Sequence, residues 1–194
     1  MSEKNVLNGD DSLNITIIND KENKIVCSEF LNNNFKKIFS GENLNTTLIQ
    51  IDIDDVSPCI GCFGCWIKTP GECVIKDKMI DINKKITNSD VVIFITPIIF
   101  GQYSCTIKNV VDRTLSKNLP FFKKFNGRTG HPGRYEKYPV QYVIGCLDEG
   151  QEEDKKIFLD THNKYRRDIK KVYISTNEED IESIVQNIFI EVNK

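Results

Sequence analysis

A chain of 194 residues, 39% hydrophobic and 28% charged, is long enough to close a hydrophobic core and short enough to do so as one domain. Its net charge of −2 gives no reason to expect nucleic acid or an anionic membrane surface as a partner. No run approaches the ~18 apolar residues of a membrane span, and the polar opening MSEKNVLNGD lacks the apolar stretch of a secretory signal. The expected setting is therefore the cytoplasm, where thiols stay reduced.

Residues 1–13 read as a polar tail and 14–194 as a single domain. Asn14 to Asn19, NITIIN, is an isoleucine-rich run of the kind that forms a buried strand. Beyond the polar stretch Asp20 to Lys24, Val26, Phe30, Leu31, Phe35, Ile38 and Phe39 recur at helical spacing, and Gly41 ends the helix. Thr46 to Ile53 is a second strand, Pro58 introduces a cysteine-rich loop over 58–75, and Met79, Ile82 and Ile86 mark a short amphipathic helix. Val91 to Thr96, VVIFIT, is apolar at nearly every position, as a central strand covered on both faces requires. After a loop over Pro97 to Ser104, Ile107, Val110, Val111 and Leu115 predict a helix. Residues 116–139 carry Pro, Gly, Arg and Lys without periodicity and read as a long loop, a length usually reserved for function. Val140 to Cys146 is a fourth strand, Glu152 to Ile169 a polar helix with an exposed acidic start, and Val172 to Ser175 a fifth strand. Thr176 and Glu179 stand at capping-box spacing before a last helix through Ile181, Ile184, Val185, Ile188 and Ile190.

Five alternations of strand and helix predict an α/β fold, a parallel sheet with helices on both faces. Ligands of such sheets sit at the carboxyl ends of the strands. That singles out Asp20 to Lys24, Pro97 to Ser104 and the segment after Cys146, with the cysteine loop on the same rim.

Four of the seven cysteines fall between Cys59 and Cys73, in CIGCFGCWIKTPGEC. The spacing C-x2-C-x2-C-x7-C places three thiolates to wrap one face of an inorganic cluster and a fourth to close it, the logic of iron–sulfur ligation. Gly61 and Gly64 let the backbone turn tightly between them. Zinc also accepts four thiolates, although its ribbons usually offer two separated pairs, and reduced structural cysteines in a turn are the plainer alternative. Disulfides suit neither the odd cysteine count nor the compartment. Cys27, Cys105 and Cys146 adjoin apolar segments and read as small buried residues.

CIGCFGCWIKTPGECVIKDKM, Cys59 to Met79, resembles the signature loop of the flavodoxin-like NAD(P)H-dependent FMN reductase superfamily, in its branch of iron–sulfur flavoproteins. TPIIFGQYSCTIKNVVDR, Thr96 to Arg113, is similar to the loop and helix after the third strand of that family, and GHPGRYEKYP, Gly130 to Pro139, to the segment before its fourth strand. The likeness runs from Asn14 to about Cys146. It implies a three-layer sandwich around a five-stranded parallel sheet in the order 2-1-3-4-5. It implies FMN, with NAD(P)H as electron donor and a small molecule or protein as acceptor, and a [4Fe–4S] cluster on Cys59, Cys62, Cys65 and Cys73. It implies a homo-oligomer as well. The flavin contacts carried over are Asn19, Lys21, Ser28, Thr96, Pro97, Ile98, Phe100, Gly101, Gln102 and Cys146. No catalytic side chain is assigned, since flavin and cluster carry the chemistry.

Two other readings stand beside this one: a plain NAD(P)H:flavin or quinone-type reductase without a cluster, and a non-catalytic relative that has lost FMN and keeps its cysteines for a structural metal or partner. The cysteine motif departs slightly from the family, with seven residues before its last cysteine and Asp-Lys-Met where Asp-Asp-Met is usual, and one other departure matters more. The family's first loop usually wraps the flavin phosphate with a Gly-Ser-Pro-Arg type turn, whereas INDKENKIVCSEF has neither glycine nor proline and adds Asp20 and Glu22, with Lys21, Lys24 and Ser28 to compensate.

Among other side chains, Phe100 and Tyr103 read as ring covers or simply as core, Trp66 as packing or a subunit contact, and Lys108 and Arg113 as solvated charges. His131, with Arg128, Arg134 and Lys137, forms a basic loop that is equally a dinucleotide phosphate site, a solvated segment or a dimer arm. His162 is expected at the surface.

Overall fold

The computed structural model describes residues 12–25, 28–38, 43–125, 127–165 and 169–192. Val26, Cys27, Phe39 and Gly41, and the side chains of Ser28 and Phe35, lie outside what is described.

The apolar runs form the parallel strands β1 (Leu13–Asp20), β2 (Leu44–Ile51) and β3 (Val91–Ile99), joined by a two-residue strand β4 (Gln102–Tyr103). A hairpin of β5 (Lys123–Phe125) and β6 (Arg128–Gly130) stands apart, and β7 (Val140–Cys146) and β8 (Ile169–Ser175) complete the main sheet. The helices are α1 (Ser28–Ile38), α2 (Gly64–Ile67), α3 (Met79–Thr87), α4 (Cys105–Arg113), α5 (Glu152–Tyr165) and α6 (Glu178–Val192).

The main sheet runs β2-β1-β3-β7-β8. Counted as parallel strands alone, that is the expected 2-1-3-4-5. The sheet is nevertheless six-stranded rather than five-stranded, because β3 turns back at Phe100 and Gly101 to pair antiparallel with β4, Ile98 facing Tyr103 and Ile99 facing Gln102.

Alternation along the central strands divides the core in two. Ile18, Val92, Phe94 and Val143 pack under α3, α4 and α5 through Met79, Ile82, Ile86, Ile107, Val110 and Phe158. Ile15, Ile17, Val91, Ile93, Ile95 and Ile144 pack under α1 and α6 through Leu31, Ile181, Val185 and Ile188. Both faces of the sheet are therefore covered, which is why β3 reads as a continuous apolar run instead of an alternating one.

Several boundaries move: β8 begins at Ile169, three residues before the expected Val172 and within the span expected to be helical, and β3 runs on to Ile99 through the start of the expected loop. β2 ends at Ile51, because Asp52 to Asp55 form a turn in which Asp55 accepts from the Asp52 N–H at 3.0 Å. The cap of α6 is Asn177 rather than Thr176: its Oδ1 accepts from Asp180 N–H at 2.8 Å, one residue later than the expected box.

The segment 116–139 is not structureless. It carries β5 and β6, and its base is closed where Leu119 N–H donates to Pro132 O and Arg134 N–H to Lys117 O, both at 2.9 Å. Tyr138 packs across Gly133, where a Cβ would meet its ring at 2.6 Å.

A candidate flavin cleft and cysteine loop

The carboxyl ends of β1, β3 and β7 open on a cleft of about 540 Å³, within the range of small-molecule sites. All three strand-end segments singled out by the sequence reach it: Asp20, Glu22, Asn23 and Lys24 from the first, Pro97, Ile98, Ile99 and Ser104 from the second, and Cys146, Leu147 and Asp148 from the third. Ile25, Ile53, Ile98, Ile99 and Leu147 make much of its wall apolar, which suits a flat ring system. Burial pushes the Cys146 thiol up to about 12, with the Asn23 amide working against it, so this sulfur stays protonated.

The expected flavin contacts separate into three groups. Pro97, Ile98 and Cys146 line the cleft. Asn19 and Thr96 are fully buried and act from inside: Asn19 Nδ2 donates to Gln50 Oε1 and to Asp20 O at 2.8 Å, and Thr96 Oγ1 accepts from Ser104 N–H at 3.1 Å. Lys21, Phe100, Gly101 and Gln102 are not among the lining residues. Lys21 is paired with Asp52 at 2.8 Å in a neighbouring depression, and Phe100 projects into solvent. Gly101 has φ +68° and lies against α5, where a Cβ would meet Ile157 at 2.5 Å, so its close approach is to a helix. Ser28 opens α1, and its side chain lies outside the described residues. Ile25, Ile53, Ile99 and Leu147 were missed because no motif marks an apolar residue that a fold turns toward a cleft.

The turn after β1 satisfies itself. Asp20, itself buried, accepts from Glu22 N–H at 3.0 Å through its carboxylate and from Asn23 N–H at 3.1 Å through its carbonyl. Asn23 Oδ1 accepts from Ile25 N–H at 3.2 Å, while Asn23 Nδ2 is buried on the side of the Cys146 thiol.

The cysteine loop is shaped by left-handed backbone at Gly61 and at Phe63, which closes the first turn of α2. Gly64 is required by packing, since a Cβ there would meet Val74 at 2.5 Å. All four thiols are free; Cys59 and Cys62 are exposed, Cys65 and Cys73 half-buried. Burial raises the Cys65 thiol, and the charges of Cys73, Cys59 and Cys62 add to it, so the other three sulfurs lie within electrostatic reach of Cys65. The donor set therefore suits a four-thiolate group. Among the described residues, however, no three Cys, His, Asp or Glu side chains converge tightly enough to hold a single metal ion.

Beneath the loop lies a residue that the sequence reading placed in solvent. Arg113, at the end of α4, has a fully buried side chain. Its guanidinium donates to Ser57 O at 3.1 Å, to Ile75 O at 3.2 Å and to the Asp77 carboxylate, and it faces the Cys73 sulfur. One buried charge thus ties both ends of the cysteine loop to α4. Helical spacing alone put Arg113 beside solvated Lys108; the carbonyls that cover it come from 38 and 56 residues upstream. Lys108 is indeed partly exposed, paired with Asp112 at 2.5 Å.

Trp66 packs, as one of its readings had it: it donates to Leu115 O at 3.3 Å and lies against His131, the rings tilted by 52° with centroids 4.9 Å apart. Other expectations change. The basic loop does not converge: Lys137 pairs with Asp90 before the amino end of β3, and Arg134 donates to Ser116 O at 3.1 Å. His162 is buried against Phe158 and Tyr103, not at the surface, and Tyr103 takes the core position that was one of its two readings. Cys105 is exposed, not buried.

Among curated proteins the chain is similar to an iron-sulfur flavoprotein of Methanocaldococcus jannaschii, 34% identical over 80 residues, 41% of this chain and 40% of that protein. It is also similar to an iron-sulfur flavoprotein of Methanosarcina thermophila, 31% identical over 70 residues, 36% of each chain. These matches span about two-fifths of the curated relatives' length. Among solved structures, an NAD(P)H:quinone oxidoreductase from Methanothermobacter marburgensis superposes with a TM-score of 0.64 at 12% identity, over 94% of this chain and 98% of that one. An azoreductase from Bacillus anthracis superposes with a TM-score of 0.55 at 9% identity, over 93% and 98%. At such identities the superpositions establish the flavodoxin-like fold alone. The family model for NADPH-dependent FMN reductase matches residues 13–136, well over half of the chain, and with the strand-end cleft this shows that the chain belongs to the NADPH-dependent FMN reductase family.

Proposed function

We propose that the chain is a flavin-dependent NAD(P)H oxidoreductase or electron-transfer flavoprotein, with FMN as the family's flavin in the strand-end cleft and a [4Fe–4S] cluster on Cys59, Cys62, Cys65 and Cys73. The observation that carries the reading is the convergence of three separate strand-end segments on one apolar-walled cleft in a chain of this family. When bound, the flavin supplies hydride acceptance and one- or two-electron transfer, and the cluster one-electron storage.

The chain's own part is placement. Pro97, Ile98 and Ile99 offer an apolar shelf that excludes water, Ile53 and Leu147 flank it, and Thr96 and Asn19 hold the shelf and the first turn from within. Arg113 holds the cysteine loop and presents a positive charge where four thiolates would gather. The acceptor is a small molecule or a second protein. Exposed Ile60, Phe63, Ile67, Phe121 and Phe122 favour a homo-oligomer that covers them.

One observation favours a second reading, the plain reductase without a cluster: among the described residues the cysteine side chains do not converge. The visible spectrum of protein purified without oxygen separates the two. A broad band that bleaches on reduction, beside flavin bands, supports the first. Flavin bands alone, with no iron retained after reconstitution, support the second. A colourless protein after reconstitution with iron, sulfide and flavin overturns both.

A further inference from the structure

The wall of the cleft nearest β1 is built against a phosphate. Of the amides that a turn at this place would offer an anion, those of Lys21, Glu22, Asn23 and Ile25 are already taken, by Ile51 O, the Asp20 carboxylate, Asp20 O and Asn23 Oδ1. Lys21 is drawn away to Asp52. Among the lining residues, the ammonium of Lys24 stands against the carboxylates of Asp20, Glu22 and Asp148. Among the described residues of this turn, a phosphate monoester meets net negative charge and four spent amides. The opposite wall, Pro97 to Ile99 with Ile53 and Leu147, suits an uncharged ring.

We propose that the cleft holds its flavin by the ring and that the described turn after β1 gives the phosphate ester no grip, so that riboflavin is bound at least as well as FMN. Asp20 and Glu22 are the residues that set this preference. The inference rests on the flavin reading above and concerns which flavin that site selects.

The test is a fluorescence titration of the full chain with lumiflavin, riboflavin and FMN. Riboflavin should bind with a Kd equal to or below that of FMN. The D20N/E22Q double variant keeps a side-chain carbonyl at position 20 to accept from the amide of residue 22, and should move the riboflavin-to-FMN preference toward FMN by about tenfold. Higher salt should move it the same way in the native chain, by screening the carboxylates. E22Q alone, at an exposed position, gives a smaller shift of the same sign and keeps the test valid if the double variant misfolds. FMN bound tenfold or more tightly than riboflavin by the native chain overturns the inference and leaves the flavin reading intact. An unchanged preference in the folded variants overturns the roles of Asp20 and Glu22. Failure of a folded chain to bind any of the three flavins overturns the flavin reading, and the inference with it.

Discussion

The cleft takes its shape from the sheet; the cysteine loop takes its shape from one arginine. At the cleft, Pro97, Ile98 and Cys146 stand where parallel strands with apolar faces on both sides put them, and β1, β3 and β7 fix their register. At the loop there is no ladder to do this. Between Pro58 and Lys78 the backbone makes left-handed turns at Gly61, Phe63 and Gly71 and a single short helix, and its ends are held by the buried guanidinium of Arg113 through Ser57, Ile75 and Asp77. The difference teaches where each region is vulnerable. Loss of one side chain at the cleft is absorbed by the sheet, whereas loss of Arg113 unties the loop.

The largest effect expected along this contrast is at the sulfurs. Replacing any one of Cys59, Cys62, Cys65 or Cys73 with Ala should abolish the iron and sulfide retained after reconstitution, while flavin binding at the cleft persists; iron and sulfide assays with flavin fluorescence read the two regions separately. Full iron retention in all four variants would remove the cluster.

Next is Arg113→Ala, which leaves a carboxylate and two carbonyls facing a void. Breaking a buried pair in this way costs about 3–5 kcal/mol, measurable as a fall in the urea midpoint. The same pair has a pH signature. Burial alone would raise the Asp77 carboxyl, but Arg113 and the amides of Ser57 and Met79 overcome it and hold it below its ordinary value. A carboxylate depressed in the folded state contributes stability that is complete above its unfolded value and is lost as pH falls through the folded one. The native urea midpoint should therefore decline below about pH 4, and R113A should decline less steeply over that range.

Gly101→Ala tests the cleft side. Positive φ and contact with Ile157 predict a loss of about 1–3 kcal/mol, with the flavin Kd of the folded protein unchanged. A weakened flavin without lost stability would return Gly101 to the ring site. The smallest effect is Ser104→Ala. It removes the cap that accepts from Ile107 N–H at 3.3 Å and should cost about 1 kcal/mol, read as a modest drop in Tm.

The sequence revealed those parts of the fold that have a period. β3 is buried from Val91 to Thr96, and its apolar run marks it directly; β7 ends where the run Val140 to Cys146 ends. The cysteine set was legible because spacing is itself the signal. The hairpin β5–β6 was not, since KKF and RTG bury little and alternate nothing. Nor was the burial of Arg113 or His162, which depends on elements far away in the chain meeting over them. Asp20 shows the limit most plainly. Its negative charge was visible as a misfit beside a phosphate, but its use as an acceptor for its own turn is a matter of geometry.

The helix α4 begins with Cys105 and Thr106 at the cleft and ends with Arg113 under the cysteine loop. Nine helical residues measure about 13 Å. Its inner side is locked by Ile107 and Val110 into the core, and Asn109 donates to Val56 O at 3.1 Å, which lashes the intervening chain alongside. The helix is a ruler. On the proposed flavin-and-cluster reading, α4 spans the distance an electron would cross between the cleft and the cysteine loop. One residue inserted in α4 would lengthen the ruler by about 1.5 Å and swing Arg113 about 100° away from the loop, so the length of this helix is under tighter constraint than its exposed residues are.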